Sequence, residues 1–106
     1  MNEGPNFIYL DQLSGGNQEI RDRLLFVLKS EFVEEVAEYE MNIANSDFLL
    51  AAGIVHKIRH KIGFLGMTKF YDLANEYEHN LMTNSADLKN EFETTLSIVN
   101  EFILKN

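Results

Sequence analysis

Apolar residues recur at steps of three and four along most of the chain, which is the spacing of amphipathic helices. Ile20, Leu24, Val27, Leu28, Phe32, Val36, Tyr39 and Ile43 form one such series and predict a helix from about Asn17 to Ala44. Ala51, Ile54, Val55, Ile58, Ile62 and Leu65 form a second stripe. Its helix is expected to start at Ser46 as N-cap, with Asp47 favoured by the helix dipole, and to end near Gly63 as C-terminal breaker. Phe70, Leu73, Ala74, Tyr77 and Leu81 make a third stripe. Leu88, Phe92, Leu96, Val99 and Ile103 make a fourth, with Ser85 as the expected cap and Asp87 in the first turn. A short helix is predicted over Ile8 to Leu13, with Phe7, Ile8 and Leu10 packing inward. Phe26, Phe32, Phe48, Phe64, Phe70 and Phe92 are expected in or near the core.

Turn signals separate these segments at Ser14-Gly15-Gly16-Asn17, Asn45-Ser46-Asp47, Gly63 to Gly66 and Asn80 to Ser85. The one proline, Pro5, lies ahead of all of them. No segment alternates like a strand between hairpin turns. Four amphipathic helices on short turns bury their stripes against one another. The expected fold is therefore all-α, an antiparallel up-down-up-down four-helix bundle with a short N-terminal helix, and residues 1–106 form one domain.

Composition narrows the function. The 106 residues carry a net charge of −8, which argues against general nucleic-acid binding, since that rests on cationic contacts to phosphates. Cysteine is absent, so disulfides, thiolate metal sites and a cysteine nucleophile are excluded. No apolar run reaches the roughly 20 residues of a membrane span, and no secretory signal opens the chain. A cytoplasmic protein with no membrane partner is expected, either free-standing or one domain of a longer chain, and a bundle that completes its own core is expected to be a monomer.

One face of the second long helix is not explained by core packing. With Ile58 at the centre of the apolar arc and a step of about 100° per residue, His56 and His60 fall about 160° away on either side. Leu49, Gly53 and Gly63 share that outer face, Ala52 lies nearby, and Lys57 and Arg59 flank it. Glycine inside a helix costs about 1 kcal/mol relative to alanine. Gly53 with Ala52 would give another protein's backbone clearance to approach His56. Lys57, Arg59, Lys61 and Lys69 gather positive charge in an otherwise acidic chain, as a docking patch for an acidic partner or a phosphoryl group would.

The stretch Val55-His56-Lys57-Ile58-Arg59, then Leu65-Gly66, then a helix ending at Tyr77-Glu78, resembles histidine-containing phosphotransfer (HPt) domains. The resemblance implies that His56 accepts a phosphoryl group from a receiver-domain aspartate and passes it to another receiver, without kinase activity of its own. It implies as partners the receiver domains of hybrid sensor kinases and of response regulators, which supply the acidic pocket and Mg²⁺, so this chain needs no cofactor. A solvent-exposed imidazole is largely neutral at pH 7 and keeps one nitrogen free to attack. Arg59 occupies the family's basic position and Lys57 a variable one. Both would offset phosphoryl charge or steer a receiver. Ala52, Gly53 and Leu49 would line the docking face.

Where the family most often has Gly, four residues after the His, this chain has His60. Its ring would narrow partner choice, hydrogen-bond to the phosphoryl group, or mark lost transfer. The last case leaves an alternative function, a helical adaptor that binds receivers or other partners by the same face without being phosphorylated. The i,i+4 spacing of His56 and His60 also suits two metal ligands. Lys57 stands where a zinc-protease motif needs Glu, and no metal site is expected.

Overall fold

The structure, a computed structural model, describes residues 4–106. Five helices follow one another: α1 (Ile8–Ser14), α2 (Gln18–Ala44), α3 (Phe48–Phe64), α4 (Thr68–Met82) and α5 (Lys89–Lys105). No strand occurs among the described residues, so the chain is all-α. No helix among them is long and apolar enough to cross a membrane. Helix α3 packs on both α2 and α4, α1 packs on α2, and α4 packs on α5.

The stripes meet in one core. Leu25, Leu28, Phe32 and Tyr39 enter it from α2, and Ala51, Ile54, Val55, Ile58 and Ile62 from α3. Ala74, Tyr77 and Leu81 come from α4, and Phe92, Leu96, Val99 and Ile103 from α5. Leu10 anchors α1, and Phe7 packs against Phe102 with ring centroids 4.7 Å apart and the planes tilted by 52°. Several expected core positions face outward instead. Phe26 is 70 % exposed, and Ile8, Ile20 and Val27 are also exposed. The buried positions of α2 are Leu25, Leu28, Phe32 and Tyr39, and Val27 lies about 200° round the helix from Leu25, on the outer side.

Caps and breakers depart from expectation by a few residues. Ser46 has a left-handed backbone (φ 55°), which ends the α2 turn. Asp47 caps α3 instead, accepting the Leu50 N–H at 3.2 Å. Gly63 lies within α3, and the left-handed residue after the helix is Gly66 (φ 79°). A Cβ at Gly66 would stand 2.5 Å from the Asn6 side chain, which straps the N-terminal segment over this turn. Ser85 accepts the Asp87 N–H at 3.2 Å, so it caps a preceding turn, and Leu88 (φ 76°) opens α5.

Tyr39 and Tyr77 meet between helices α2, α4 and α5. Their hydroxyls lie 2.7 Å apart, and Tyr39 donates to Glu93 Oε2 at 2.9 Å. Burial pushes both phenols above their ordinary value, and their mutual hydrogen bond adds to the rise at Tyr39. At alkaline pH the unfolded chain loses these protons first, so it binds fewer protons than the folded one. The stability they contribute is full below pH 10.0, the ordinary phenol value, and declines as pH rises beyond it. Thermal melts followed by circular dichroism should show a falling Tm above that pH. A Tm level to pH 11 would contradict the buried phenol pair.

Candidate functional site

The outer face of α3 lies along its seam with α4. Residue numbers rise on one helix as they fall on the other. A Cβ on Gly63 would lie 2.9 Å from the Tyr71 ring, Arg59 Nη1 donates to Asn75 Oδ1, and His56 meets Glu78. Ala52 and Met82 then line the same groove. Tyr71, Asn75, Glu78 and Met82 thus form one stripe of α4 at steps of four and three. Gly63 serves close packing against Tyr71 and not the open face first expected of it.

His56 sits near the middle of this seam with its side chain 49 % exposed. Its Nδ1 lies 3.3 and 3.2 Å from the two Glu78 carboxylate oxygens. Arg59 Nη2 lies 3.0 Å from the same Nδ1, and Arg59 Nη1 lies 3.7 Å from Glu78 Oε1. Nδ1 therefore stands between a carboxylate and a guanidinium. A guanidinium only donates and a carboxylate only accepts. When Nδ1 carries the proton it donates to Glu78, and the Nε2 lone pair is free for attack. In the opposite tautomer the Nδ1 lone pair accepts from Arg59 Nη2 at 3.0 Å. Glu78 favours the tautomer with the proton on Nδ1, much as a carboxylate behind a metal-bound histidine does, while the Arg59 donor favours the one with the lone pair there.

Two of the positive charges near His56, Arg59 and Lys61, are committed within the fold. Arg59 is only 12 % exposed and lies over the Tyr71 ring at 5.2 Å, bound to Asn75 and Glu78. Its contact with the His56 ring is at Nδ1. Lys61 pairs with Glu31 and Glu35 of α2, each at 3.1 Å, and so ties α3 to α2. Lys57 is exposed, with no ion pair among the described residues. Surface ion pairs are worth little individually, but the Arg59 and Lys61 pairs are half-buried, and each joins two helices.

Beside His56 runs an open groove of about 270 Å³ lined by Leu49, Ala52, Gly53, His56, Glu78 and Met82. Ala52 is buried at its floor, while Leu49 and Met82 are exposed at its margins. A Cβ on Gly53 would meet nothing within 4 Å, so this glycine leaves the approach open without being needed for packing. His60 stands on the far side of the His56 ring. The two Nε2 atoms are 3.4 Å apart, with the ring planes at 83°. Among the described residues no group of three or more His, Asp or Glu side chains is placed to hold a metal ion. His79 is exposed and spends its Nδ1–H on the Asn75 carbonyl at 2.9 Å.

The structure therefore brings together His56, Arg59, His60, Gly53, Ala52 and Leu49, and adds Glu78, Asn75, Tyr71 and Met82 from α4. Sequence reasoning quoted Glu78 only as the end of the motif and passed over Tyr71, Asn75 and Met82, although the four-three-four spacing of the four marks one helix face. No family model, curated protein or solved structure matches the chain.

Proposed function

We propose that the chain is a phosphoryl carrier of the HPt kind. His56 Nε2 accepts a phosphoryl group from a receiver-domain aspartate and returns it to a second receiver. The observation that carries this reading is the clamped Nδ1 of an exposed histidine, 3.2 Å from a carboxylate, beside an open groove. In the uptake step the Nε2 lone pair attacks phosphorus. An N–P bond forms, the P–O bond to the aspartyl carboxyl breaks, and the receiver regains a free carboxylate. The Nδ1 proton remains on the ring against Glu78, so the imidazole leaves as a neutral group when the next carboxylate attacks. Such a transfer needs alignment and charge stabilisation more than many reacting groups. The receiver would contribute the acidic pocket and its Mg²⁺, and the carrier has no kinase activity of its own.

In this reading α2 to α5 run up-down-up-down as an antiparallel four-helix bundle. The opposed numbering of α3 and α4 supports that arrangement, as does the Tyr39–Phe92 contact of α2 with α5 at 5.3 Å. A cytoplasmic monomer fits the reading as well. The groove takes an apolar helix of the receiver between Leu49 and Met82, with Gly53 as the point of closest approach. Gly53→Ala should be silent for transfer. Gly53→Arg should fill the groove, leave the fold intact and slow transfer from an acetyl phosphate-charged receiver about 30-fold or more, as the loss of ~2 kcal/mol at an interface hot spot would. Unchanged transfer in Gly53→Arg would remove the groove from the mechanism. Receiver binding without any transfer in the wild-type chain would favour the adaptor reading, which His60 motivates.

A further inference from the structure

We infer that His60 gates the acceptor nitrogen, donating its Nε2–H to the His56 Nε2 lone pair and holding that lone pair out of reaction until His60 turns aside. The inference rests on the reading of His56 as a phosphoryl acceptor. It starts from the distance of 3.4 Å between the two Nε2 atoms. In the tautomer that the proposed function uses, with Nδ1–H donating to Glu78, His56 presents a lone pair at Nε2. A second lone pair facing it across that distance would repel, so the stable partner is His60 with its proton on Nε2. The contact is edge-on, with ring centroids 4.9 Å apart, and both rings are exposed. His60 can therefore rotate into solvent without disturbing the core.

The consequence is thermodynamic as well as steric. The His60–His56 hydrogen bond exists only while Nε2 is unloaded, because the N–P bond uses the same lone pair. An interaction made in one state alone shifts the equilibrium toward that state. His60 therefore slows loading and makes the loaded carrier a better donor. A net hydrogen bond of ordinary strength corresponds to about two- to tenfold in rate or partition. A docked receiver supplies contacts along the groove that offset this barrier, whereas a small phosphoryl donor in solution supplies none. His60 is thus a selectivity element that protects His56 from indiscriminate loading.

Phosphoramidate tests this without any receiver. It transfers its phosphoryl group to an imidazole nitrogen: the N–P bond to the ring forms, the P–N bond of the reagent breaks, and ammonia leaves. Initial loading of His56 is read by intact mass with fragment mapping, for the wild-type chain, His60→Gly and His60→Leu. His60→Leu keeps bulk and removes the donor. The expected result is about two- to tenfold faster loading of His56 in both variants than in the wild type. Equal rates in all three would overturn the gate. Faster loading in His60→Gly alone would overturn the hydrogen bond, leaving bulk as the barrier. Absence of loading at His56 in every form would overturn both the gate and the acceptor reading beneath it.

Discussion

Replacing His56 with Gln is expected to abolish phosphoryl uptake from a charged receiver while leaving thermal unfolding nearly unchanged. Gln has similar length and hydrogen-bonding capacity, and position 56 is exposed, so the core beneath it should not notice the change. Its amide nitrogen has no available lone pair, so no nucleophile remains on the Nε2 side. His60 lies close enough to raise the question of substitution for the lost acceptor, but it lacks a clamp. Among the described residues its only ring-nitrogen partner is His56 itself. Uptake measured by intact mass should therefore fall to background, with melting curves overlaid. Persistent uptake would move the acceptor away from His56.

Phe92→Ala should cause the largest loss of stability. The ring is fully buried and packs against Tyr39 at 5.3 Å and Tyr77 at 5.0 Å, so it joins α5 to both α2 and α4. Truncating a buried Phe costs about 3–5 kcal/mol through lost transfer energy and the cavity left behind. Total stability for a domain of this size is about 5–15 kcal/mol. The substitution therefore removes a large share of it, and the Tm should drop by more than about 12 °C. Phe26→Ala provides the contrast. That ring is 70 % exposed, and its loss should change stability by no more than about 0.5 kcal/mol. Equal effects at the two positions, measured by denaturant titration, would contradict the assignment of the core.

The five helices and most of the core were legible because a stripe at steps of three and four has one efficient way to be buried. The misplaced details share a cause, which is that local chemistry alone does not fix the direction of the chain at a turn. Ser46 and Ser85 are both good caps by residue type, yet left-handed backbone at Ser46 and at Leu88 moves each helix start to a later residue. Phe26 shows the limit of hydrophobicity as a guide to depth on a helix as long as α2. At the candidate site, His56, Gly53 and the face they share could be read from α3 alone. The Glu78 clamp could not, because it depends on the register between α3 and α4, which no pattern within either helix specifies. The same register commits Arg59 to Glu78 on α4, and the packing of α3 on α2 commits Lys61 to Glu31 and Glu35, so two of the cations visible in the sequence are paired within the fold.

The central claim, that His56 carries a phosphoryl group, is met most directly by intact-mass spectrometry with fragment mapping after mixing with acetyl phosphate-charged receiver domains, at neutral or basic pH to preserve phosphohistidine. The expected result is a gain of about one phosphoryl mass on His56, lost on adding an uncharged second receiver. No gain across a broad receiver panel, or a gain mapped to another residue, would contradict it.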